Sequence, residues 1–209
     1  MSEILIINYG IGNLTSVKNM LKKAGAKDVL ISSDPQEMKE ADKLILPGVG
    51  HFDFGMRQLR QSGMVDILNR RVLEDKVSIL GICLGAQMMT KGSEEGDEPG
   101  LGWVDAYTRR FRQEALPPGY KVPHMGWSEL EVRQAGHPLF SDFVPLQRFY
   151  FVHSYHIVCN RAQDELASCV YGYPFTAAIA KGNIMGVQFH PEKSHKFGLQ
   201  LMRNFVNNY

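Results

Sequence analysis

The chain has 209 residues, 44% of them hydrophobic and 22% charged, with a formal net charge of +1. That length supports one sizeable core and is short for two, so a single domain over residues 1–209 is expected. A balance this close to neutral gives no electrostatic case for nucleic acid or an anionic membrane. The opening MSEILIINYG carries too short an apolar run for a signal peptide or a membrane span. Cys83, Cys159 and Cys169 show no C-x-x-C spacing, which argues against a disulfide framework or zinc site and for a reducing, cytoplasmic setting.

In chain order, ILIIN over residues 4–8 is a continuous apolar run of the kind found in buried parallel strands. It leads through Tyr9-Gly10-Ile11-Gly12-Asn13 into a helix over 14–24, with Leu14, Val17, Met20 and Leu21 on one face and Gly25 as its stop. The loop glycines do not form a dinucleotide fingerprint, because G-x-G-x-x-G needs glycine where Thr15 stands. A second strand is expected over 27–31, and Asp34-Pro35-Gln36-Glu37 carries the marks of a helix start. The third strand, 43–46, ends in Pro47-Gly48-Val49-Gly50. That segment reads either as an ordinary strand-to-helix turn or as a mobile loop whose N–H groups turn toward a ligand. Helical patterns follow over 53–61 and 64–74.

The stretch VSILGICLGAQ, 77–87, then gives a strand over 77–80, a tight turn G-x-C-x-G, and a helix over 86–91. This is the arrangement that lifts a nucleophile to the apex of a strained turn, with glycines two positions either side to relieve crowding. A helix start behind the thiol favours the thiolate. The alternative is that Cys83 is a small buried hydrophobe.

Residues 92–100 form a polar, turn-rich loop in which Glu94, Asp97 and Glu98 read as a solvated face. Beyond it come β-type runs over 104–111, 128–132, 148–152, 166–171, 176–181 and 184–189, with Gly182-Asn183 as a hairpin signal, and a closing helix over 196–207. Strand–helix alternation in the first half implies a parallel sheet, with ligands beyond the carboxyl ends of its strands. The expected fold is therefore α/β: a mostly parallel central sheet, helices on both faces, and an antiparallel extension. At the end of the last strand stands Val187-Gln188-Phe189-His190-Pro191-Glu192-Lys193-Ser194. A cysteine nucleophile needs a base and the base needs an orienting acceptor, and Cys83, His190 and Glu192 supply the three types.

Gly81 to Gly85 together with His190-Pro191-Glu192 resembles the class I glutamine amidotransferases. Within them the chain closely resembles the glutaminase subunits of imidazole glycerol phosphate synthases. This resemblance spans nearly the whole chain and rests on NYGIGN (8–13), LPGVG (46–50), GICLGAQ (81–87), SEEG (93–96), VPHMGW (122–127), YFVHSY (150–155) and FHPEKS (189–194). The resemblance implies a flavodoxin-like fold and glutamine hydrolysis through a thioester on Cys83, with His190 moving the proton and Glu192 fixing its tautomer. It implies an oxyanion hole from the N–H groups of Val49 and Leu84, and a glutamine pocket of Gly50, Gln87, Glu95, Ser154 and Tyr155. It requires no cofactor and no metal. The partner it implies is a (β/α)8 cyclase that receives the ammonia, docked at Asn13, Trp127 and Lys193, and that rearranges the 47–50 loop to switch the glutaminase on.

Plainer readings stand beside these: Asn13 as a helix cap, Trp127 as core, Lys193 as a solvated charge. His153 and His156, with Cys159 or Glu165, form the only spacing that suggests a metal. The chain departs from the family at Asn8, Ala86 and Ser128, where Asp, Met and Asn are usual. Those departures keep open a related branch that supplies ammonia for acetamidino sugars, and a free-standing cysteine hydrolase is a further alternative.

Overall fold

A computed structural model of the chain describes residues 3–143 and 146–209. Its organising element is an eleven-stranded sheet whose main path runs β2-β1-β3-β4-β11-β10-β9-β6-β7. The first five of these strands are β2 (Asp28–Ser32), β1 (Glu3–Ile7), β3 (Lys43–Gly48), β4 (Ser78–Cys83) and β11 (Ile184–Val187), all mutually parallel. The antiparallel remainder comprises β10 (Tyr173–Lys181), β9 (Glu165–Tyr171), β6 (His124–Val132) and β7 (Arg148–His153), with β8 (Tyr155–Cys159) branching from β10 to pair with β5 (Ala106–Arg110).

The parallel strands separate two apolar layers. Ile4 and Ile6 face one, with Val17 and Leu21 of helix α1 (Leu14–Lys23) and Leu201, Met202 and Phe205 of helix α6 (His195–Asn208). Leu5 and Ile7 face the other, with Met38 of α2 (Pro35–Glu40), Met56 and Leu59 of α3 (Phe52–Gln61), Leu68 of α4 (Val65–Asn69) and Met88 of α5 (Leu84–Met88). The alternation along β1 is the two-residue period of a strand buried on both faces. Asp34 accepts from Gln36 N at 2.8 Å, and Pro35 opens α2 as the sequence suggests.

Several boundaries differ from expectation. The strand carrying the nucleophile extends to Cys83 itself, and the following helix starts at once, at Leu84. The helix expected over 64–74 is α-helical only through Asn69 and continues as a π-helical turn, Arg70–Glu74. Strand β8 was not anticipated. Only Ser154 separates it from β7, so no glycine or proline marks the break between them.

The topology decides where a ligand fits. From β1 the chain crosses to β2 on one side and to β3 on the other, which opens a crevice beyond the carboxyl ends of β1 and β3. β3 runs through Pro47 and Gly48, two residues beyond the expected end at Leu46, and the Tyr9 to Asn13 loop and the Val49-Gly50 turn stand there, next to Cys83. Among the described residues no helix is long and apolar enough to cross a membrane.

Candidate active site

Cys83 sits at φ 53°, ψ −111°, a conformation that only glycine adopts without strain, as the last residue of β4 and the cap of α5. The flanking glycines earn their places by different contacts. A Cβ on Gly81 would lie 2.8 Å from the Ala86 backbone, so this glycine lets the turn fold back on itself. A Cβ on Gly85 would lie 1.8 Å from the Leu46 carbonyl oxygen, so this one lets α5 lie directly on β3. Ala86 is wholly buried between Gly81 and Gly186.

His190 and Glu192 arrive from the end of β11. His190 Nδ1 is 2.8 Å from Glu192 Oε1, and both side chains are 2% exposed. The intervening turn is clasped by Ser194, whose hydroxyl donates to His190 O at 2.6 Å and accepts from Tyr150 N at 3.0 Å. Helix α6 presses on the same turn, with Gly198 so close that a Cβ would stand 1.8 Å from Pro191 O. His190 Nε2 is buried outside any regular hydrogen bond. Burial by itself lowers the pKa of this ring, but the Cys83 and Glu192 side chains outweigh it and raise the pKa to about 9. Near neutral pH the ring is therefore an imidazolium beside the Cys83 sulfur.

Cys83 and His190 line a cleft of about 740 Å³. Of the site residues expected from sequence, only Glu192 and Trp127 do not line it: Val49, Gly50, Cys83, Leu84, Gln87, Glu95, Ser154, Tyr155, His190, Asn13 and Lys193 all do. Glu95 is anchored at the start of α3, where its carboxylate accepts from Phe52 N at 2.8 Å. Of its neighbours, Glu94 and Asp97 are exposed, as expected of a solvated face, and Glu98 is half-buried. Asp53 accepts from Asp97 N and Glu98 N at 3.2 and 3.0 Å, and Glu98 pairs with Arg60. Glu94 pairs with Arg109 at 2.7 Å, and its pKa is held low by the Arg110 backbone N–H and then by Arg109. Asn13 makes no side-chain cap bond to α1, so the capping alternative does not hold. Trp127 is 42% exposed and stacks 5.2 Å from His195, so it is not core. Lys193 Nζ stands 5.8 Å over the Tyr150 ring.

Behind the cleft runs a hydrogen-bonded chain that sequence analysis passed over. The Tyr155 carbonyl can only accept, so His153 Nδ1 donates to it, at 2.7 Å. His153 Nε2 must then accept from His124 Nδ1 at 3.2 Å, and His124 Nε2 accepts from Ser128 Oγ at 3.0 Å. Both rings are neutral: burial lowers His124 to about 4 and His153 well below its ordinary value. From Tyr155 O the chain continues through Gln87 Nε2 (3.0 Å) to Gln188 Oε1 (3.0 Å), and Gln188 Nε2 reaches Cys83 Sγ at 3.7 Å. His153 is thus committed to this chain, and among the described residues no group of three or more His, Cys, Asp or Glu is disposed to hold a metal. Gln188 was legible only as the residue two before His190; its contact with sulfur needs the fold. Cys159 and Cys169 are pushed up to about 12 by burial, which leaves them as thiols.

Comparison with known proteins agrees with this geometry. The family model of class-I glutamine amidotransferases matches residues 5–209. The imidazole glycerol phosphate synthase subunit HisH 2 of Pseudomonas aeruginosa is 52% identical, across 97% of this chain and 98% of its own length. The HisH 2 subunit of Methanococcus maripaludis is 48% identical with the same coverage, and the HisH subunit of Bdellovibrio bacteriovorus is 45% identical. Two solved structures share the fold at low identity. PurLQS from Thermotoga maritima gives a TM-score of 0.74 at 16% identity, covering 99% of this chain and 98% of that one. The glutaminase domain of Trypanosoma brucei CTPS gives 0.68 at 14%, covering 100% and 96%. The chain belongs to the class I glutamine amidotransferase family, and within it to the HisH group.

Proposed function

We propose that the chain hydrolyses L-glutamine and passes the ammonia to a HisF-type cyclase, a (β/α)8 barrel, for imidazole glycerol phosphate formation in histidine biosynthesis. The observation that carries this reading is Cys83 and His190 lining one cleft with Glu95, Gln87 and Tyr155, with His190 Nδ1 held 2.8 Å from the Glu192 carboxylate. The identity to HisH relatives supports the pathway.

In the proposed cycle Cys83 Sγ attacks the side-chain carboxamide carbon of glutamine, and the resulting oxyanion is met by the N–H groups of Val49 and Leu84. Among the described residues no backbone carbonyl takes the Val49 N–H. His190 donates its proton to the leaving nitrogen, so ammonia departs and a glutamyl thioester remains. Water then attacks the thioester as His190 takes its proton, and glutamate leaves with the Cys83 thiolate and the His190 imidazolium restored. Glu192 holds the imidazole by Nδ1, which aims Nε2 at the reacting atoms. Glu95 receives the substrate's α-ammonium group, with Gly50, Gln87, Ser154 and Tyr155 around the rest. Ammonia released into water would be protonated and lost to the acceptor reaction, which is why a docked synthase is part of the reading. The setting is cytoplasmic, with no nucleic acid or membrane as partner.

The test is glutamate release from glutamine by the chain alone and with a HisF-type cyclase plus its nucleotide ligand, with Cys83→Ala as control. Strong stimulation, absent in the control, is expected. Silence with that cyclase but stimulation by a cyclase-like protein serving acetamidino-sugar synthesis would move the chain to that branch. Rapid turnover with no partner would favour a free-standing hydrolase.

A further inference from the structure

The two donors assigned to the oxyanion sit on different elements: Val49 on the loop after β3, Leu84 at the start of α5. Their spacing is therefore only as fixed as the contact between that loop and that helix. One buried side chain, outside the triad and the pocket, joins the end of β3 that carries that loop to that helix. Tyr9, 4% exposed, donates its hydroxyl proton to Pro47 O at 2.7 Å, and the same oxygen lies 3.9 Å from Met88 Sδ at the end of α5.

The surroundings of that hydroxyl are tightly built. A Cβ on Gly48 would stand 2.8 Å from the Tyr9 oxygen, 2.8 Å from Gly85 N and 2.9 Å from Leu84 Cβ, so the loop, the tyrosine and the helix start meet at one point. From the other side, a Cβ on Gly12, which sits at φ +112°, would stand 3.2 Å from Pro47 Cβ, so the Tyr9 to Asn13 segment lies close against Pro47. Burial raises the hydroxyl's pKa, and the charge of Cys83 adds to this, so the group stays a proton donor at every working pH. Pro47 has no N–H, and Gly48 and Gly50 flank Val49 with wide conformational freedom. Pro47 and Gly48 close β3 in register with Ile82 and Cys83, and the Tyr9 bond adds a second hold on the strand end from which the Val49 loop departs.

We propose that Tyr9 is a positioning residue for the oxyanion pocket, its hydroxyl locking the Pro47 carbonyl against the helix that follows Cys83 so that loop movement is confined to residues 48–50. The proposal rests on the glutaminase reading above. It assigns Tyr9 no contact with substrate: it acts through the Val49 peptide.

Attack on a carboxamide builds an oxyanion, whereas alkylation of the same sulfur by iodoacetamide displaces iodide and builds none. Tyr9→Phe keeps the ring and its packing and removes only the hydroxyl. In the chain assembled with a HisF-type cyclase, Tyr9→Phe is expected to lower kcat for glutamine about tenfold, a part of the loss seen when an oxyanion donor is removed outright. KM and the rate of Cys83 alkylation are expected to stay within about twofold of wild type, since neither uses the oxyanion pocket. An unchanged kcat would overturn the proposal, and so would a parallel fall in kcat and alkylation, which is the mark of a loosened site rather than a misplaced donor. If wild type is alkylated at Cys83 yet releases no glutamate with any partner, the glutaminase reading itself fails and this proposal with it.

Discussion

A cysteine held at φ 53°, ψ −111° stores strain of roughly 1–3 kcal/mol that the surrounding fold must absorb. The sign of that strain is measurable because glycine and alanine normally rank the other way. In an ordinary position glycine is the less stable residue by about 0.5–1 kcal/mol. At position 83 both substitutions remove the thiol, and only glycine relaxes the backbone. Cys83→Gly is therefore expected to unfold at a denaturant concentration equal to or higher than Cys83→Ala, and both should lack glutaminase activity; the usual order would show that the turn is unstrained. His190 offers a second test at this scale. Its pKa is raised to about 9 against the opposing effect of burial, so its proton is present at neutral pH and available to the departing nitrogen. Glutamine turnover should fall as pH rises through about 9. Stability has the same sign. The folded state holds the proton to higher pH than the unfolded imidazole, whose pKa is about 6.5. This contribution is whole below that value and lost as pH rises through the folded pKa. The urea midpoint of wild type relative to His190→Gln should shrink between about pH 6 and pH 10. A flat difference would show that Cys83 and Glu192 do not raise the ring.

At the scale of elements, the parallel half was legible because buried strands such as β1 and β3 are short apolar runs, and α2 opens on a capping Asp34 and Pro35. The antiparallel half was less so. Strand β8 escaped because the break at Ser154 carries no turn residue, and β6 extends back to His124 through Gly126, which a pattern search reads as a loop. Of the site, the residues within contiguous motifs were readable, since Cys83 ends β4 and His190 and Glu192 follow β11. The links among distant segments were not: nothing local joins Gln188 to Cys83, or Tyr9 to Pro47, or His124 to His153. Those pairs are made by the crossing of β1, β3, β4 and β11 and by the β6–β7 pairing. One such link governs the base. Helix α6 lies so close to the His190–Glu192 turn that Gly198 has no room for a methyl group. Gly198→Ala must push the helix or the turn aside, and is expected to cost about 1–3 kcal/mol in urea unfolding. It should also lower kcat, because the displaced turn carries both His190 and Glu192. A variant of wild-type stability and rate would mean that α6 shifts without dragging the turn.

For the whole molecule, the cleft opens at the carboxyl ends of the parallel strands, and the proposed docking residues surround the same end. Trp127 lies beside Tyr150 at 6.0 Å and flat against His195, while Lys193 covers the Tyr150 ring. Tyr150 O in turn accepts from His190 N at 2.9 Å. A partner that grips Trp127 therefore presses on a cluster bonded directly to the turn that carries the base. Exposed tryptophan held rigid by stacking is the kind of side chain on which interface energy concentrates, with losses of about 2 kcal/mol or more on truncation. Trp127→Ala is expected to weaken binding of a HisF-type cyclase by about thirtyfold or more in Kd, read by titration calorimetry. Leu73 provides the control. It is similarly exposed, at 41% against 42% for Trp127, but lies in the π-helical turn before β4, at the opposite end of the strands. Leu73→Ala should leave Kd unchanged. Equal losses in the two variants would mean that the cyclase does not dock over the cleft, and the route for ammonia would have to be sought elsewhere on the molecule.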